Sequence, residues 1–245
     1  ALNWVLIFGN LGAPRLEVKG AALATLISRV VEFAAMAVYA GGNRRFRLRL
    51  SCLIRPGREI VRKFIHYSGP VVFNEGMWGL GTSLYKVIMG HMEGSTEILA
   101  ARALAGNIED ICLVAIFAMA GTTGITVGRE IGSGRDSGTV YQVGAAMDTL
   151  ALFCGLGIGL VLLAATRLFL APVVYPLFRL SENAAGIATM MLTFTAAAMP
   201  LRAFNTTNTV GVLRGGGDVR AAMLIDILPL WCVALPLAAL FGLGL

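Results

Sequence analysis

The chain has 245 residues, of which 57% are hydrophobic and 14% charged, with a net charge of +6 and a mean hydropathy of +0.76. Soluble domains carry nearer a quarter charged residues, and disordered chains combine low hydrophobicity with high net charge, so neither class fits. The basic residues sit in loops beside long apolar runs rather than on one phosphate-tracking face, which argues against a nucleic-acid partner and for an integral membrane protein of roughly six spans.

The run Ala1 to Ala13 is too short to span a bilayer alone and is read as the end of a truncated helix. The last run stops at Leu245 with no polar tail, and the chain is read as a fragment of a longer protein. After the loop Pro14 to Lys19, a span is predicted over about 20–40. A charged linker, 42–63, follows, with Arg44, Arg45, Arg47, Arg49, Arg55, Arg58, Arg62 and Lys63 against the single acid Glu59. Further spans are predicted over about 64–90, 98–127 and 139–166. An irregular loop with Pro172 and Pro176 comes next. The last two spans, about 184–213 and 219–245, are separated by the turn Arg214-Gly215-Gly216-Gly217-Asp218.

Lys and Arg near span ends stay cytoplasmic. With the linker inside, the inside loops hold twelve of the 20 basic residues and the outside loops four: Arg15, Lys19, Arg167 and Arg179. The linker is then cytoplasmic, in contact with anionic lipid headgroups.

Ionisable groups within a span cost several kcal/mol unless paired or wet, so each one is a site candidate. Glu75 falls about 11 residues into its span, roughly 16 Å along the axis and near the midplane. Tyr67, Val71, Trp78, Thr82 and Tyr85 share its helical face. A carboxylate among aromatic rings suits an organic cation, by charge and by cation–π attraction, or a coupling ion such as Na⁺. Pro70 offers a bend in the same helix. The competing reading is a structural pair with an Arg from another helix.

In the next span Arg102, Asn107, Glu109 and Asp110 form a polar band in which Arg102 and Glu109 share a face. At least one member of the band is expected to pair structurally, and Asn107 and Glu109 are the cavity candidates. Asp148 and Asp226, each early in its span, are expected to pair or to lie near the interface, and Lys86 to snorkel. In 184–213, Arg202, Asn205, Thr206 and Thr209 make a polar stripe after Pro200, either a cavity lining or interhelical hydrogen bonding. The four cysteines (Cys52, Cys112, Cys154, Cys232) and two histidines (His66, His91) show no ligand spacing, so no metal site, disulfide framework or cofactor is expected. An intramembrane enzyme would need a motif such as H-E-x-x-H or G-x-S-x-G, and neither occurs.

Four segments in this order, 2–9 (LNWVLIFG), 20–28 (GAALATLIS), 127–135 (VGREIGSGR) and 213–218 (LRGGGD), resemble the multidrug and toxic compound extrusion (MATE) family of antiporters, over nearly the whole chain. The resemblance implies an all-α integral membrane protein, part of a twelve-helix, two-lobe transporter, running from late helix 5 to helix 11. Residues 1–41 would end the N-terminal lobe, 42–63 would link the lobes, and 64–245 would form the C-terminal lobe without helix 12. The family's helix 7 acid falls on Glu75 and its polar helix 8 position on Asn107. The second Asp that some members carry in helix 10 is absent here, where Ala203 or Asn205 stands.

The expected function is export of small, often cationic, organic compounds across the plasma membrane in exchange for Na⁺ or H⁺, by a protein that is monomeric when full length. The expected substrate and cation residues are Glu75, Trp78, Asn107, Glu109, Asn205 and Thr206. The alternatives are a lipid-linked precursor flippase, which wants a more basic cavity around Arg102 and Arg202, and an inactive truncated paralogue.

Overall fold

The computed structural model describes residues 2–12, 14–42, 57–178 and 180–244. Residues 43–56, with the linker's Arg44, Arg45, Arg47, Arg49, Arg55 and Cys52, lie outside the described residues, as does Arg179. The described residues are helical: α1 (Leu2–Phe8), α2 (Glu17–Gly42), α3 (Arg58–His91), α4 (Ser95–Gly132), α5 (Ser137–Leu177), α6 (Glu182–Leu213) and α7 (Val219–Leu243). By length and composition α2, α4, α5, α6 and α7 can each cross a membrane. The chain is a multi-pass membrane protein. It divides into two compact units, Ala1–Lys63 and Phe64–Leu245.

In the first unit α1 ends at Gly9, whose φ of 73° suits glycine, and a 3₁₀ turn, Asn10–Gly12, follows. The Leu16 amide donates to the Leu6 carbonyl at 3.0 Å. Gly20 sits against that same carbonyl, in a space that a Cβ would fill.

In the second unit the helices meet through small residues. Lipid tails are as apolar as leucine, so helices gain most where backbones approach closely. A Cβ on Gly155 of α5 would lie 2.7 Å from the Met199 carbonyl of α6, and one on Gly211 of α6 would lie 2.8 Å from Cβ of Thr123 in α4. Ala101, Ala105, Ala188, Ala196 and Ala203 are buried in the same seams. Large side chains such as Ile111, Ile125, Leu168 and Phe194 point outward instead, the distribution expected where the surrounding solvent is hydrocarbon. Asp136, Ser181 and Asp218 start α5, α6 and α7, each accepting from the amide three residues on.

Two predicted boundaries are corrected. The segment with Pro172 and Pro176 is helical rather than irregular, since α5 continues to Leu177 through a wide π-helical stretch, Thr166–Val174. A proline lacks the amide and crowds the carbonyl four residues back, and π turns accommodate that misfit. Similar stretches, Thr207–Leu213 in α6 and Leu230–Ala234 after Pro229 in α7, interrupt the last two helices. The end of the linker is helical as well: α3 begins at Arg58, and Lys63 pairs with Glu59 at 2.9 Å one turn apart.

Candidate functional site

Helix α3 brings Asn74, Glu75 and Trp78 to a cavity of about 410 Å³ that α4, α6 and α7 complete. Helix α4 supplies Asp110, Leu113 and Phe117, and α6 supplies Arg202, Asn205, Thr206 and Thr209. Arg214 lines it from the end of α6 and Asp226 from α7. The polar stripe after Pro200 is therefore a cavity lining as well as a hydrogen-bonded seam. Its neighbour Asn208 turns the other way and donates to Asp148 Oδ2 at 2.8 Å.

Glu75 stands at the middle of α3, with its side chain 63% exposed. It is paired all the same, because Arg214 Nη1 donates to Glu75 Oε1 at 2.9 Å. The second arm of the same guanidinium reaches Asp226 Oδ2 at 3.5 Å, and Asn74 Nδ2 donates to that oxygen at 3.2 Å. Arg214 thus bridges two carboxylates and is itself mostly buried.

A second cavity, of about 510 Å³, shares Trp78, Asp110, Leu113 and Arg202 with the first. It adds Thr82, Lys86, Arg102, Asn107 and Glu109. Glu109 is buried and accepts from both guanidiniums, from Arg102 Nη1 at 2.8 Å and from Arg202 Nη1. Lys86, expected to snorkel, lies along this wall.

Of the six residues expected at the site, Glu75, Trp78, Asn205 and Thr206 line the first cavity, while Asn107 and Glu109 line the second, with Trp78 common to both. Sequence reasoning passed over Arg214, counted as a loop charge, and Asn74; Asp226 was expected to pair or to lie near the interface, and it pairs with Arg214 and Asn74. Periodicity gave no signal for Arg214: Val210 breaks the i+4 run from Arg202 and Thr206, and Thr207–Leu213 is π-helical. No group of three or more His, Cys, Asp or Glu placed to hold a metal occurs among the described residues.

A family model described as MatE matches residues 70–240. Among curated proteins, the uncharacterized transporter YisQ of Bacillus subtilis is 27% identical over 99% of this chain and 51% of its own length. The multidrug resistance protein NorM of Burkholderia vietnamiensis is 29% identical over 99% of this chain and 52% of its own length. A probable multidrug resistance protein NorM of Thermotoga maritima is 23% identical, covering 100% and 51% respectively. The chain therefore spans about half the length of these relatives. No solved structure matches.

Proposed function

The chain belongs to the MatE family, and on that premise we propose that the whole protein is a secondary antiporter exporting small organic, often cationic, compounds in exchange for Na⁺ or H⁺. The observation that carries this reading is Glu75: a carboxylate in mid-helix, open to a cavity, beside the ring of Trp78 and the polar groups of Asn205 and Thr206. Glu75 binds the cationic substrate from inside. The coupling cation then takes the carboxylate, weakens substrate affinity, and favours the outward-facing state through its differential affinity for the two. Asn107 contributes a hydrogen-bonding group in the adjoining cavity, and Glu109 sets that cavity's charge. Arg102 and Arg202 are both engaged by Glu109, which weighs against a cavity built for a pyrophosphate-linked lipid.

In this reading residues 1–41 end a first lobe, 64–245 form most of a second, and 42–63 join them on the cytoplasmic side of the plasma membrane. The working unit is a monomer, and its chemistry needs no organic cofactor. The test is efflux from vesicles holding the full-length protein, with Na⁺ and pH gradients imposed separately. One gradient should drive export in the wild type and neither should in Glu75→Gln. Export by Glu75→Gln at the wild-type rate would refute the role of Glu75. A cysteine at Ser51 should label only from the cytoplasmic side.

A further inference from the structure

The two cavities adjoin, and their charges differ in sign. On α3, Glu75, Trp78, Thr82 and Lys86 follow at i+3 or i+4, so one stripe of the helix runs along the wall of both. Residues confined to the first cavity carry two formal negative charges, on Glu75 and Asp226, and one positive, on Arg214. Residues confined to the second carry two positive charges, on Lys86 and Arg102, and one negative, on Glu109. Asp110 and Arg202 line both cavities, and their charges cancel. One end of the trough thus has a net charge of −1 and the other of +1.

Protein partners take up the charges of the three arginines. Arg102 and Arg202 pair with Glu109, and Arg214 pairs with Glu75 and Asp226. Among the described residues Lys86 enters no ion pair of this unit. An ammonium within a membrane-embedded protein is unfavourable unless it is paired or wet, and an anionic group on a ligand would supply the missing partner. A snorkelling lysine would carry its charge out to the interface. Lys86 instead lines the second cavity, together with Asn107, whose amide can donate to the same anion.

We propose that the second cavity holds an anionic group of the exported compound, with Lys86 as its main partner and Asn107 beside it. The substrate class is then amphoteric: an organic cation that also carries a carboxylate or a sulfonate. The inference rests on the reading of the first cavity as the place of the cationic end, and it adds the second charge and the residue that selects it. Glu75 and Lys86 are 11 residues apart, about 16 Å along the axis, and two long side chains shorten that separation to the length of a drug-sized molecule. The cavities, of about 410 and 510 Å³, have the size such ligands need. Trp78, common to both, offers its ring to an aromatic body between the two charges. A single excess positive charge suits a monoanion and is too little for a pyrophosphate.

The experiment compares rhodamine B, whose xanthylium cation carries a free carboxylate, with its ethyl ester, the same cation without the acid. Binding to the full-length protein in detergent is read by fluorescence anisotropy at neutral pH, with protein-free micelles subtracted. The wild type should bind the zwitterion about tenfold more tightly than the ester, the effect of one hydrogen bond to a charged group. Lys86→Met keeps the length of the side chain without its charge, and should bring that ratio from about ten to about one. Lys86→Arg should keep most of the preference, and Lys86→Gln decides the matter if Lys86→Met does not fold. Equal binding of the two dyes by the wild type, an unchanged ratio in Lys86→Met, or no binding of either dye would each overturn the proposal. Glu75→Gln separates the two levels of the reading. Ester binding lost there, with equal binding of the two dyes by the wild type, refutes the anionic subsite and leaves the reading of Glu75 intact. Both dyes bound by Glu75→Gln as tightly as by the wild type, with the ratio still collapsing in Lys86→Met, refutes the reading of Glu75 and keeps the anionic subsite.

Discussion

Replacing Glu109 by Gln should destabilise the protein through the two guanidiniums it leaves behind. The side chain of Glu109 is 10% exposed and accepts from Arg102 on its own helix and from Arg202 on α6. Glutamine has the same shape but carries no charge, and its nitrogen end cannot accept from either arginine. Two positive groups that shared one carboxylate would then face each other across a neutral amide. Removing one partner of a buried ion pair costs about 3–5 kcal/mol. The guanidinium side chains are 42% and 33% exposed, so solvent screens part of that penalty, and about 2–3 kcal/mol is the expected loss. At roughly 2–4 °C per kcal/mol for chains of this size, the melting midpoint in detergent should fall by about 4–12 °C. The assay is a fluorescence melt of purified full-length protein beside Glu109→Gln, Arg202→Gln and the double variant. The double variant should lose less than the sum of the singles, because it removes the stranded charge along with its partner. Glu109→Gln melting with the wild type, or strictly additive losses, would refute the view that this pair ties α4 to α6. Unchanged stability with lost efflux would mark Glu109 as a ligand-binding group instead.

Glu75→Gln should behave in the opposite way: its side chain is largely exposed and Arg214 keeps Asp226 as a partner, so the melt should move by no more than about 1 kcal/mol while coupled efflux is lost. Gly155→Ala places a Cβ 2.6 Å from Cβ of Ala203 and should cost about 1–3 kcal/mol by overpacking; Gly157→Ala, with nothing within 4 Å, is the control and should melt with the wild type. Asp136 caps α5 from outside the membrane, and its carboxylate accepts from the hydroxyl and amide of Thr139, which hold its pKa below the ordinary 3.8. Its contribution is full above that ordinary value and is lost as pH falls through the lowered one, so Asp136→Ala should lower the neutral plateau of a stability–pH curve and flatten its acid limb, the two proteins converging in acid.

The spans were legible because run length and apolarity are nearly sufficient in a bilayer. With no water to satisfy the backbone, an uncharged run of 20 residues has little choice but helix. Prolines misled the reading at 172 and 176. In a soluble protein they end a helix, whereas here α5 widens into a π stretch and carries on. The site was half legible. Glu75 and Trp78 stood out because a charge and an indole in mid-span need a reason. Arg214 did not, since beside Gly215 it looks like one more topology-setting charge at a helix end. What distinguishes it is the length of its side chain and the place of Asp226 on the facing helix. Partners 139 and 12 residues away leave no trace in local periodicity.

Among the described residues, helix α3 is long but is not one of the helices apolar enough by composition to count as a span. Its polar groups account for this: Asn74, Glu75, Thr82 and Lys86 all line one or other cavity. Helices α4, α5 and α6 hold their buried carboxylates in pairs, Glu109 with two arginines and Asp148 with Asn208, and present leucine, isoleucine and phenylalanine outward. Helix α3 leaves Glu75 open to the cavity, paired with Arg214 of α6. Low hydropathy in a mid-chain span is therefore the trace of a wet, charged surface, and a reading that accepted spans on apolarity alone would discard the helix that carries the site.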